Sequence, residues 1–479
     1  MLVVWLLAVA LAGSLVTLWV PRQGAKVAAG IIGALLIILY IGLLLHPGQG
    51  VNVPWIPAWG IRFHLGSDGL SLFLLGLTVV MTEVAILASK PEWGRMYYFW
   101  ILFLEFGSLG LFSALDLFLF YIFWEIVLIP IFFLLTSWSG VKGRRAAMKW
   151  LIMNLFGSLF MLIGVVAVAV IHTQPFGPLT FEIAQLAHLH MDARVTPWIF
   201  AAFFLAFAIK APLWPFHGWM PDAYGEAPAP VTALLAGVMS KAGVYGFLRI
   251  MLPLFFPEFV RYQTGLLTLA VIGLVYGAFM ALRQTDMKMV TAYASLSHIG
   301  MIALGIFSLT RVGILGATFQ MVAHGLMIGG LFIILGLLEQ RTGSRDISAM
   351  HGLNASAPRL AAYFLFFALA TLGLPGLPGF VGEYLIIQGL VAHEVAFAVI
   401  AIIVLVMAAW YMLRVFQGVM QGPDRGQSIL DLKAPQVWWI VPLAGLVLLL
   451  GVWPNGVTAA AVPSLYHAVH LFAVKGGGV

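Results

Sequence analysis

The sequence predicts an all-α integral membrane protein of about fourteen transmembrane helices, built from two inverted five-helix repeats with helices seven and twelve discontinuous. Three observations carry that prediction. Of the 479 residues 62% are hydrophobic and 9% charged, with a mean hydropathy of +1.04, which no soluble domain shows. The basic residues are sorted by loop. Two of the apolar segments are broken by proline.

Apolar runs of the ~20 residues that a bilayer core demands fall near 2–20, 27–46, 69–89, 96–114, 117–136, 147–171 and 197–215 in the first half. In the second half they fall near 229–252, 263–282, 287–308, 313–338, 359–389, 393–418 and 435–454. Of the 24 lysines and arginines, 16 follow odd-numbered spans, from Arg22 and Lys26 through Lys288 to Arg425 and Lys433. Six lie on the other side: Arg62, Arg194, Arg249, Arg261, Arg311 and Lys475. Lysine and arginine accumulate on the cytoplasmic side, so both termini are expected outside it, on the periplasmic side of a bacterial inner membrane, with an even number of spans. Arg22 and Lys26 follow the first apolar run and nothing basic precedes it, so that run reads as a retained span, not a cleavable signal.

The expected divisions are helices one to three in 1–95, a first repeat in 96–258, an inverted second repeat in 259–420, and a last helix with a tail in 421–479. Residues 173–195 form the longest polar interruption and are expected to make a surface helix with Glu182, His188, His190 and Asp192.

The two breaks define the repeats. Lys210-Ala-Pro-Leu-Trp-Pro interrupts the seventh span, because Pro212 lacks an N–H and its ring clashes with the preceding turn. Leu372-Gly-Leu-Pro-Gly-Leu-Pro-Gly-Phe-Val-Gly-Glu383 interrupts the twelfth and also ends at a charge. Five spans separate them, an odd number, so the two units have opposite topology. Broken helices at membrane depth occur where they face protein or a watery cavity.

Few ionisable groups fall well inside spans: Glu83, Glu105, Glu125, Lys210, Lys241, His298, His324 and Glu383. Ionisable groups in a bilayer are costly and mark ion or proton paths. Glu125 and Lys210 are the natural opposite charges. A fixed internal ion pair is the plainer reading, but such pairs gain little over apolar packing. Lys241 is a second mid-span lysine. His298 and His324 lie on consecutive spans among Ser295, Ser297, Gly300 and Gly325, where small residues leave room for water; satisfied core histidines remain the alternative. Glu383 closes the series. Glu105 is a weaker candidate that a hydrogen bond could hold neutral, and Glu83 reads as a side chain reaching for headgroups. In the polar stretch after Trp214, His217, Asp222 and Glu226 read as structural caps. The many Phe and Trp read as lipid-facing or interfacial.

Absent features exclude other chemistry. Without cysteine there is no Cys-ligated cluster, thiolate nucleophile or disulfide. Neither a dinucleotide fingerprint nor a phosphate-binding loop motif is present. The net charge of +6 is scattered over loops, so no nucleic-acid partner is expected. The surrounding partner is the lipid bilayer.

The blocks Trp124-Glu125, Lys210-Ala-Pro-Leu-Trp-Pro-Phe-His-Gly-Trp-Met-Pro-Asp-Ala, Ser240-Lys241-Ala-Gly-Val-Tyr-Gly and Ala294-Ser-Leu-Ser-His-Ile-Gly300 resemble the antiporter-like membrane subunits of respiratory complex I. That family includes the cation/proton antiporter subunits of multisubunit Mrp-type exchangers. Glutamate at the end of Gly379-Phe-Val-Gly-Glu383, where most members carry lysine, is similar to the chain M branch. The resemblance implies a proton-translocating subunit of an NADH:quinone oxidoreductase, with L-type and N-type antiporter-like neighbours in the membrane arm. It implies that Glu125 and Lys210 are the input pair, Lys241 the central carrier, His298 and His324 the bridge, and Glu383 the exit-side group. It implies no cofactor or metal in this chain, with NADH, FMN, iron–sulfur clusters and quinone on other subunits. A sodium- or potassium-exchanging antiporter subunit and the membrane subunit of a related hydrogenase share these motifs.

Overall fold

The computed structural model describes residues 1–48, 50–176, 178–189, 191–392, 394–423 and 428–463, without the side chains of 174–176. His190, Arg425 and Lys475 lie outside the described residues. Each predicted apolar run lies on helix. Among the described residues, ten helices are long and apolar enough to cross a membrane. Leu72–Ala88, Thr196–Lys210 and Pro358–Thr371 are shorter apolar helices.

The chain forms two compact units. The first takes Met1–Ala211, Met239–Gln263 and the chain from Ala459; the second takes Pro212–Val238 and Thr264–Thr458. Chain therefore passes from one unit to the other after Ala211, one residue past the end of the helix Thr196–Lys210, where Pro212 forbids another turn.

In the first unit, Asp116 starts the helix Leu117–Ile126 by accepting hydrogen bonds from the Phe118 and Leu119 amides. That helix is interrupted only at Val127 before Leu128–Trp138 resumes. Pro130 stands four residues after Ile126 and cannot donate to its carbonyl, so the ladder loses a bond there. The seventh-span helix packs on the segment Ser240–Gly246 with glycine at the contact. A Cβ on Gly243 would stand 2.5 Å from the Phe207 carbonyl oxygen and the Ala211 nitrogen.

In the second unit, Asp286 caps Met287–Phe307 through the Lys288 and Met289 amides, and Thr310 caps Arg311–Thr342. The apolar windows of these two helices are buried throughout. The second broken helix consists of Pro358–Thr371 and Pro378–Val391. Between them Gly373 and Gly376 take φ of 73° and 91°, left-handed angles at which a Cβ is strained.

Four expectations change. Residues 173–195 do not make a surface helix: Val141–Phe176 runs on into this region, among the described residues beyond it only Ile183–Leu186 is helical, and Phe181, Ile183, Leu186 and Leu189 are buried. An antiparallel hairpin, Val51–Ile56 with Ile61–Leu65, adds two strands to the helical fold. Many aromatics are inside: Trp124, Trp150, Phe112, Phe120, Phe203 and Phe207 are fully buried, while Trp19, Trp198 and Trp438 are exposed. Lys288, expected in a loop, is buried and donates to the Gly225 and Ala227 carbonyls at the end of the helix Met220–Glu226.

Candidate functional site: buried amines in one unit, an acid and two imidazoles in the other

Lys210 is the last residue of its helix, where the unsatisfied carbonyls favour a cation. It is 3% exposed. Its Nζ donates to the Trp124 carbonyl oxygen at 3.5 Å, a long bond, and sits 4.5 Å from the centroid of the Trp124 indole. Glu125 is the carboxylate whose charge reaches Lys210. The ion pairs found among the described residues, which extend to 4.0 Å, do not join the two. In this arrangement the ring and carbonyl of Trp124 hold the amine. Glu125 itself is half-buried in an open groove of about 460 Å³, lined by Tyr121, Ile129, Phe132 and Leu151 among others. Its Oε1 is buried without a hydrogen-bond partner.

Lys241 is fully buried in the same unit, and its Nζ donates to Ser240 Oγ at 3.2 Å. Its helical turns are framed by two π-helical stretches, Leu235–Met239 and Phe247–Met251. Such wide turns recur at functional sites because they re-aim side chains. Glu105 is 1% exposed and neither carboxyl oxygen has a hydrogen-bond partner. Glu83, on the helix Leu72–Ala88, has its carboxylate against Gly33 and Gly30 of the helix Ala25–Leu45.

The second unit brings His298 and Glu383 together. His298 Nδ1 lies 3.2 Å from Glu383 Oε1, with side chains 4% and 2% exposed. The contact is close but not aligned as a hydrogen bond, so both Glu383 oxygens and His298 Nε2 lack hydrogen-bond partners. The His324 ring is 5.4 Å from that of His298. Gln320 is buried beside Gly382, at which a Cβ would overlap its Oε1. Tyr411 is buried within reach of the Glu383 charge. A Cβ on Gly373 would run into Glu383 Oε2, so the left-handed turn of the break also makes room for the carboxylate. The His217 ring lies 4.9 Å from that of Tyr276, tilted by 59°, Glu226 faces Arg345 at 3.9 Å, and Asp222 is exposed.

Sequence reading missed two polar clusters. Glu182, 5% exposed, pairs with His64 Nδ1 at 2.6 Å and Arg62 Nε at 3.3 Å on the hairpin. Arg345 joins Asp286, Glu339 and Glu226. Both bridge residues far apart in sequence. Among the described residues, no group of three or more histidines or carboxylates could hold a metal ion.

Broken apolar helices that each carry a buried ionisable group define an ion-translocating membrane module. The family described as NADH:quinone oxidoreductase/Mrp antiporter, TM, matches residues 114–408, and the chain belongs to that family. It is similar to NADH-quinone oxidoreductase subunit M of Escherichia coli K12, at 37% identity over 457 residues, covering 91% of this chain and 90% of the relative. A chain in the structure of respiratory complex I from Thermus thermophilus with bound NADH is 34% identical, with a TM-score of 0.92 over 98% of this chain and 99% of that one. A chain of the Mrp complex from Dietzia sp. DQ12-45-1b shares the fold at 24% identity and a TM-score of 0.86, covering 97% of this chain and 52% of that one.

Proposed function

We propose that this multi-pass membrane protein is a proton-translocating subunit in the membrane arm of an NADH:quinone oxidoreductase, beside other antiporter-like subunits. It is part of an oxidoreductase complex and carries no redox centre of its own; NADH, FMN, iron–sulfur clusters and quinone are held by other subunits. Both termini lie on the periplasmic side. The observation that carries the reading is Lys210: a buried amine at a broken helix, held by a weak carbonyl bond and an indole face, with Glu125 in electrostatic range but not in contact.

Glu125 and Lys210 form the input, Lys241 carries the proton between them and the second unit's group of His298, His324 and Glu383, and Glu105 is secondary. Approach of the Glu125 carboxylate favours the ammonium form of Lys210, and withdrawal releases the proton. Scale permits it. A unit charge crossing the membrane involves ~2.3 kcal/mol per 100 mV, while one pKa unit is about 1.4 kcal/mol.

The test uses inverted membrane vesicles. Lys210→Ala and Glu125→Ala each lower NADH-driven acidification and coupled quinone reduction at least about tenfold per assembled complex, a change of ~1.4 kcal/mol. Parental acidification in Lys210→Ala vesicles sinks the relay. Sodium-dependent transport without quinone reduction would favour the exchanger reading.

A further inference from the structure

The turn between the helices Leu128–Trp138 and Val141–Phe176 gathers cations that the fold does not use. Lys142, Arg144 and Arg145 lie in the first turns of the second helix, with Lys149 one turn further, and all four are exposed. The start of a helix disfavours cations, and this one has no acid in its first turn. No aspartate or glutamate falls anywhere from 126 to 181. Among the described residues, no ion pair engages Lys142, Arg144 or Arg145. Other basic residues that follow odd-numbered spans are engaged within the protein. Lys26 donates to the Leu87 and Ser89 carbonyls, Arg345 pairs with Asp286, and Arg414 donates to the Leu282 and Gln284 carbonyls. Membrane topology asks for basic residues in such loops, not for their crowding at one helix start.

Beneath these cations the same helix turns an apolar stripe outward. Met148, Ile152, Phe156, Leu159 and Ile163 are 47–65% exposed. Arg145 and Lys149 continue that face to the turn at the three- and four-residue spacing of one helix side. The open groove of about 460 Å³ lies against both helices, lined by Leu151 and Leu155 of the second and by Ile129, Phe132 and Phe133 of the first. Leu155 stands ten residues beyond Arg145, about 15 Å of helix, which matches the hydrocarbon depth of one leaflet. Glu125, the carboxylate in the lining, is fifteen residues from Gly140, about 22 Å of helix, and lies deeper than one leaflet's chain reaches.

We propose that this turn and groove bind an anionic phospholipid, its phosphate on Lys142, Arg144 and Arg145 and an acyl chain along Phe132, Leu151 and Leu155. The site is independent of the proton relay and of which ion the protein moves. Guanidinium forks match phosphate oxygens in pairs, and the anion offsets both the crowded cations and their place at a helix start. Each cation near an anionic lipid favours binding about fivefold, so three favour an anionic over a zwitterionic headgroup about hundredfold. The groove holds the chain whatever the headgroup. An acidic segment of a neighbouring subunit would match the cations but leave the apolar groove below them unmatched.

The experiment places the intact complex in phosphatidylcholine bilayers with a trace of phosphatidylglycerol or phosphatidylcholine carrying a photoactivatable acyl chain, and maps the adducts by mass spectrometry. The phosphatidylglycerol probe labels the two helices beside the groove at least about tenfold more than the phosphatidylcholine probe, and raising the salt narrows that preference. The triple variant Lys142→Gln, Arg144→Gln, Arg145→Gln abolishes the preference and leaves phosphatidylcholine labelling unchanged. Leu155→Trp fills the groove and lowers labelling by both probes. Equal labelling by the two probes in the parent means ordinary solvating lipid and overturns the site. Labelling by neither means that another subunit covers the face, which also overturns it, as does an undiminished preference in the triple variant or parental labelling in Leu155→Trp. Basic residues help to orient a loop, so the triple variant could fail to insert. In that case Arg145→Gln alone lowers the preference about fivefold, and an unchanged preference there overturns the site.

Discussion

Among the candidate relay residues the two units differ, although the first also buries Glu105 and the second Lys288. The first holds amines. Lys210 rests on carbonyl and indole, at a helix C-terminus that already favours a cation. The second holds an acid. Glu383 lies in the second turn of Pro378–Val391, beyond the turn where a helix end helps much, and its close partner is an imidazole. The amine thus rests on backbone and indole dipoles, and the carboxylate lies against an imidazole. On the proposed reading the relay has an amine half and a half in which an acid meets an imidazole. The two breaks differ to match. Proline alone ends the helix at Lys210, whereas the second break adds left-handed glycines that clear space for the carboxylate.

The strongest way to break that contrast is Glu383→Gln. The amide keeps the shape and removes the charge beside His298. If acid and imidazole exchange a proton, acidification and coupled turnover fall about tenfold, the equivalent of one lost pKa-unit of coupling. Parental rates in assembled complex would make Glu383 a packing residue, and the second unit would contribute no acid. A smaller loss sharpens the geometric side. Gly373→Ala imposes a left-handed conformation on a residue with a Cβ, at ~1 kcal/mol, and pushes that Cβ into Glu383 Oε2. Pumping falls about fivefold, the rate equivalent of ~1 kcal/mol, whereas alanine at the exposed Gly445, with open space around it, leaves it unchanged.

Much of this was legible in the sequence because charge inside an apolar span is an outlier that needs no partner to be noticed. Lys210, Lys241, His298 and Glu383 stood out that way, and Pro212 located the first break. What the sequence hid was pairing over distance. Arg249 reads as an ordinary loop charge, and nothing local says that it clasps Asp68, 181 residues away. Lys288 sits two residues past the helix cap Asp286 and looks like a loop cation, until the carbonyls it satisfies are seen. The hairpin was missed because its first strand is six residues long and contains Pro54, which weakens a strand signal. The aromatics were misplaced because hydropathy cannot tell a lipid-facing ring from one packed between helices.

Glu105 gives the smallest expected effect and the finest cut. A carboxylate with neither oxygen hydrogen-bonded and 1% exposure has nothing to offset its charge. Burying such a charge costs several kcal/mol, and an uncharged side chain of the same shape avoids that cost. Glu105→Gln should therefore assemble normally and pump within about twofold of the parent. The measurement is acidification per assembled complex, made beside Glu383→Gln. If the Glu105 amide costs as much as the Glu383 amide, the first unit also works through an acid, and the division into an amine half and an acid half fails.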